Sequence, residues 1–148
     1  MSGTPEHLLT LEIEALPASL QEMRHSLAKA LAEIDLPRGE REQLVLAVNE
    51  ACMNVIQHAY RETPGKAIRL HMTREPELLR FIIEDDAPCI DPDCVKPRKL
   101  SDVRPGGLGV HFIREIMDEM HFHACGQRGN RLELVKHLVQ TEKNNESP

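Results

Sequence analysis

Glu50, Asn54 and His58 recur at i, i+4 and i+8 within the run Asn49-Glu-Ala-Cys-Met-Asn-Val-Ile-Gln-His-Ala-Tyr60. A helix over this run lines the three up on one stripe. Leu44, Val45, Leu46, Val48, Val55 and Ile56 flank it, and no Lys or Arg occurs from Gln43 to Tyr60. A carboxylate and an amide therefore sit beside an apolar interior, where polar groups cost free energy unless they are partnered. A hydrated Mg²⁺ with a phosphorylated ligand supplies such partners, since Mg²⁺ is held by one or two protein oxygens plus waters and phosphates.

Two further groups follow in order. Phe81-Ile-Ile-Glu-Asp85-Asp86-Ala87-Pro88 reads as a buried strand ending in paired carboxylates. An Asp in that place can accept a hydrogen bond from an adenine amino group. Gly106-Gly107-Leu108-Gly109 stands at the start of a helical pattern. Glycines there let backbone N–H groups approach an anion closely, and the helix dipole adds to the attraction. The three groups give an adenine end, a phosphate end and a metal between them, with Glu50 as a base.

The elements that must position these residues follow from periodicity. His7 to Glu14 alternates as a strand. Pro17 opens a helix in which Leu20, Met23, Leu27, Ala30, Leu31 and Ile34 form a core stripe. Leu36-Pro-Arg-Gly39 breaks it, and a longer helix runs from about Gly39 to Tyr60. Thr63-Pro-Gly-Lys66 is a turn. Ala67 to Thr73 and Leu78 to Asp85 pair as a hairpin. The span 86–106 carries Pro88, Pro92, Pro97 and Pro105 and reads as a long loop, of a length that marks either a functional lid or a disordered segment. A helix from Leu108 to Met120 follows, then strands Met120 to Cys125 and Arg131 to Leu138, turned at Gln127-Arg-Gly-Asn130. The tail 140–148 is polar and expected to be loose. The order β-α-α-β-β-loop-α-β-β predicts an α/β (α+β) two-layer sandwich. Its mixed, mostly antiparallel sheet is covered on one face by three helices.

At 148 residues the chain is expected to form a single domain. Hydrophobic residues make up 41% and charged residues 28%, as in ordinary globular chains. Aromatics are only 3%, so the core must be aliphatic. A net charge of −6 argues against direct binding of nucleic acid. No apolar run reaches the length of a membrane span, and Met1 to Glu12 lacks a signal pattern. A cytoplasmic protein is expected, with Cys52, Cys89, Cys94 and Cys125 as reduced thiols. Their spacing lacks a C-x-x-C pair, which disfavours a metal site built from Cys89, Cys94 and His111, His121 or His123. These histidines, like His58, are expected to be exposed or structural, and Asp86 and Asp91 to be loop acids.

The pattern Glu50-x-x-x-Asn54-x-x-x-His58-Ala59-Tyr60 resembles the N box of the GHKL (histidine-kinase-like, Bergerat-fold) ATPases, and most of all that of the anti-sigma-factor serine kinases of bacterial partner switching. Gly107-Leu-Gly-Val-His-Phe-Ile-Arg-Glu-Ile-Met-Asp-Glu119 resembles their second glycine box and its helix. The resemblance covers about 8–139. It implies that Glu50 is the general base for a substrate hydroxyl and Asn54 a Mg²⁺ ligand. Asp85 would recognise adenine; Gly107, Leu108 and Gly109 would cradle phosphates; Arg104 would lie near the γ-phosphate; and 86–106 would be the ATP lid. It implies ATP and Mg²⁺ as cofactors, a sigma factor and a small STAS-type antagonist as partners, and leaves room for a homodimer.

The chain departs from the family at D-x-G-x-G, which reads here Asp85-Asp-Ala-Pro-Cys89. Ala87 and Cys89 replace both glycines. That keeps open a second reading, a non-catalytic ATP-binding module that only holds its protein partner. A histidine-kinase catalytic module would need a long helical hairpin with an acceptor histidine, and neither His7 nor His25 has that context. A redox or metal sensor using Cys89 and Cys94 is the remaining alternative.

Overall fold

The computed structural model describes residues 5–88, 108–124 and 129–138, with backbone only for 108–110 and 124. Strand β1 (Glu6–Glu14) leads through a 3₁₀ turn at Pro17–Ser19 into helix α1 (Leu20–Leu31). Helix α2 (Arg38–Asn54) continues as a π-helical turn, Val55–Ala59. Strands β2 (Ala67–Glu75) and β3 (Leu78–Asp85) form the expected hairpin. Helix α3 (Leu108–Ile116), β4 (Glu119–Ala124) and β5 (Asn130–His137) complete the described fold.

The five strands make one sheet in the order β1-β2-β3-β5-β4, antiparallel at all four pairings. Alternation decides which face is covered. Ile68, Leu70 and Met72 on β2 and Leu79, Phe81 and Ile83 on β3 are buried, while their neighbours are half-exposed. Against them pack Leu20, Met23, Leu27 and Leu31 of α1 and Leu44, Val48, Ala51 and Cys52 of α2. Each large aliphatic side chain so buried contributes about 1.5–3 kcal/mol. Phe81 is fully buried in this largely aliphatic cluster.

The second helix differs from its expected form. The periodicity predicts one regular helix to Tyr60, but the last turn is π-helical, closed by the Tyr60 N–H on the Val55 carbonyl at 2.9 Å. A π turn holds more residues than an α turn, so the residue four beyond Asn54 falls short of the stripe. His58 is accordingly exposed, whereas Asn54 is buried. The chain leaves this turn through Arg61 (φ 51°) and Glu62 (φ 61°), two non-glycine residues in the left-handed region. The Glu62 N–H closes the exit on the Ile56 carbonyl at 2.7 Å. Leu46, expected on the apolar flank, is instead 50% exposed.

Candidate functional site

Helix α2 carries Glu50 and Asn54 one turn apart. Glu50 is half-buried; Asn54 is 8% exposed. Neither side chain has a hydrogen-bond or ion-pair partner among the described residues. A buried amide without a partner costs about 1–3 kcal/mol, which a bound ligand can return. Beside them, Arg24 of α1 donates to Asn49 Oδ1 at 2.9 Å and fixes the two helices against each other. Helix α2 also packs on α3 and touches β3, so the element with the Glu/Asn pair meets both other elements singled out in the sequence.

Asp85 ends β3. It is 4% exposed, and the register sets it opposite Ile68 on β2 and Asn130 on β5. Its Oδ1 accepts the Ala87 N–H at 2.9 Å and Asn130 Nδ2 at 2.9 Å. The same Asn130 nitrogen reaches the Ala87 carbonyl at 3.1 Å. The carboxylate and the loop after it are therefore held as one unit. Asp86 turns outward into a two-point pair with Arg69, at 2.9 and 3.0 Å. The Arg69 guanidinium holds the Asp86 carboxyl below its ordinary pKa. Tyr60, 5% exposed, accepts the Asp86 N–H at 2.6 Å and donates to the Ala67 carbonyl at 2.7 Å. Burial raises the Tyr60 phenol above its usual pKa. One hydroxyl thus ties the end of the π turn to β2 and to the Asp85 loop.

Ala87 bears on the lost glycine. Its methyl lies in the hydrophobic core, 3% exposed, and its φ is not positive. The loop accommodates a Cβ there without backbone strain. Cys89, Arg104, Gly106 and Gly107 lie outside the described residues, as does nearly all of the expected lid. Leu108 and Gly109 fall in the first turn of α3, where backbone N–H groups have no intrahelical acceptor. Cys52 is fully buried and its thiol is pushed up to about 12, so it is inert rather than redox-active. Cys89, Cys94 and Cys125 lie outside the described residues. Among the described residues no group of three or more His, Cys, Asp or Glu could hold a metal ion. His111, His121 and His123 are exposed, as expected.

Sequence reasoning missed Arg69, Gly129 and Asn130, and read Tyr60 only as part of a pattern. The Gly129-Asn130 pair was visible as a turn, but only the β3–β5 register shows that it faces Asp85. Gly129 has φ +101°, and a Cβ there would collide with the Asp85 carbonyl and stand 3.0 Å from Asp86 Cα. Gly129→Ala is therefore expected to lower stability by about 2–4 kcal/mol. Thermal unfolding of the variant checks this; an unchanged midpoint would remove the close approach.

A family model of the histidine kinase-like ATPase domain matches residues 13–136. The chain belongs to that family. It is 27% identical over 139 residues to the serine-protein kinase RsbW of Bacillus subtilis, covering 88% of this chain and 85% of that one. It is 24% identical over 136 residues to the anti-sigma F factor of Anoxybacillus flavithermus, covering 89% and 93%. A crystal structure of the RsbU and RsbW domains of a Mycobacterium tuberculosis protein superposes with a TM-score of 0.59 at 18% identity. That match covers 89% of this chain and 33% of the other, and it supports the fold. No helix among the described residues is long and apolar enough to cross a membrane.

Proposed function

We propose that this protein is an ATP-dependent serine/threonine kinase that phosphorylates a small STAS-type antagonist protein and sequesters a sigma factor. The observation that carries the reading is Glu50 and Asn54 one turn apart on α2, with Asn54 buried and lacking a side-chain partner among the described residues. The names of the relatives, a serine-protein kinase and an anti-sigma factor, point the same way.

Phosphoryl transfer asks the protein mainly for positioning and charge stabilisation. Asp85, held by Ala87 and Asn130, accepts from the adenine amino group. The amides of the first turn of α3 suit a phosphate cradle; the family resemblance assigns Gly107 and Gly109 to the same cradle and Arg104 to the terminal phosphate. Asn54 is the protein oxygen for Mg²⁺, which when bound neutralises phosphate charge. Glu50 takes the proton from the acceptor Ser or Thr hydroxyl. The phosphate places about −1.5 to −2 charge on the antagonist and weakens its hold on the kinase. The freed kinase returns to the sigma factor. The protein acts in the cytoplasm and binds no nucleic acid itself.

The non-catalytic alternative drew on the missing glycines, and at Ala87 the loop is built around the methyl group. The test is transfer of labelled γ-phosphate to purified STAS-type proteins from the same genome, with Mg²⁺ and with EDTA. Label on one antagonist only with Mg²⁺ is the expected result. ATP binding without transfer to any of them would replace the kinase with the binding module.

A further inference from the structure

We propose that Leu46 is the docking contact that seats the phospho-acceptor protein against Glu50. The inference rests on Glu50 being the base. Among the described residues, Leu46 is the large hydrophobic side chain left in water, 50% exposed, while Leu44, Val48 and Ala51 of the same helix are fully buried. Single exposed leucines are common and by themselves mean little. The position of this one matters. It lies four residues before Glu50 and seven before Met53, which is half-buried. Residues four apart on a helix have Cβ atoms about 5–6 Å apart. Leu46 therefore borders the spot where an acceptor hydroxyl must come to lose its proton.

Among the described residues, this side of α2 is uncovered. Gly39, one heptad before Leu46, has nothing within 4 Å of where a Cβ would stand. Glu42 and Gln43, the preceding turn, are exposed. A protein that brings a Ser or Thr to Glu50 from this side of α2 covers the neighbouring turn, which is only one side chain away. The occupant is then a segment with an aliphatic or aromatic side chain one helical turn, or two strand positions, from its acceptor residue. Either spacing spans about 5–7 Å. Burying the Leu46 side chain against that residue removes both apolar surfaces from water and adds to the binding of the acceptor protein.

The test measures kcat and KM for the antagonist that accepts label from the wild-type protein, together with ATP affinity. Leu46→Asp should raise the antagonist KM about tenfold or more, with kcat and ATP affinity within about twofold. Leu46→Met, which keeps an apolar chain of similar volume, should stay within about threefold of wild type. Leu46→Gln is the substitute if the Asp variant fails to fold, since Gln favours helix. An unchanged KM in the polar variants, with wild-type transfer intact, overturns the docking role and leaves the kinase reading standing. A shift from dimer to monomer in sedimentation, with KM unchanged, would overturn it in favour of contact between two copies of the chain. If the wild-type protein labels no antagonist, the kinase reading fails first and the docking role falls with it.

Discussion

Glu50→Gln should lower phosphoryl transfer by about 10²–10⁴-fold while ATP binding and sigma-factor capture stay near wild type. The range is that of losing general-base assistance. Gln is nearly isosteric with Glu, and the Glu50 side chain has no hydrogen-bond or ion-pair partner among the described residues, so the exchange breaks no such bond of the described fold. The amide cannot accept the hydroxyl proton. The nucleotide contacts assigned to Asp85, Asn54, Gly107 and Gly109 remain. Three measurements separate the outcomes: phosphate incorporation into the antagonist, ATP affinity by titration, and pull-down of the sigma factor. Transfer at the parental rate would show that Glu50 is not the base. Loss of ATP affinity would show that it belongs to the nucleotide site instead.

Much of the fold was legible because its elements have clean periods. β2 alternates from Ala67 to Met72 and β3 is a short apolar run bounded by a turn, and the predicted hairpin matches the observed strands to within two residues at either end. The core stripe of α1 appears as buried Leu20, Met23, Leu27 and Leu31. The π turn at Val55–Ala59 was not legible. Its residues suit an α-helix equally well, and what selects the wider turn lies in the tertiary surroundings. Tyr60 must reach both Ala67 and Asp86, contacts that no local pattern encodes. Leu46 misled for a related reason. Apolar residues around a helix predict burial, but this helix has more of them than its packed face can cover.

The candidate site divides the same way. Glu50, Asn54 and Asp85 were named from residue type and spacing, since each lies in a run with a definite period. The groups that hold Asp85 come from distant segments. Asn130 is 45 residues away in sequence and Tyr60 is 26 residues from Asp86. Their roles depend on the sheet order, in which β5 rather than β4 lies beside β3. That order makes the site a joint product of three strands and the end of α2. It also supplies the restraints on Asp86 and Ala87, which are held by side chains on β2 and β5 and at the end of the π turn.

Asp85→Asn tests that construction at its centre. The variant should lose ATP affinity by about 10–100-fold, and discrimination against GTP with it. The existing hydrogen bonds leave the new amide no good orientation. If its oxygen stays where Oδ1 now accepts from the Ala87 N–H and Asn130 Nδ2, its NH₂ takes the other oxygen's place and meets the adenine amine donor to donor. If the amide flips, its NH₂ confronts two donors inside the protein, at a residue only 4% exposed. A buried donor or acceptor left unmatched costs about 1–3 kcal/mol, and sites built on such bonds reject the mismatch strongly. Either orientation weakens nucleotide binding, and the flipped one also sets two protein donors, the Ala87 N–H and Asn130 Nδ2, against the new NH₂. Titration with ATP and GTP reads the loss. If Asp85→Asn binds ATP as tightly as the parent and still excludes GTP, Asp85 does not read the base, and the adenine end of the site lies elsewhere.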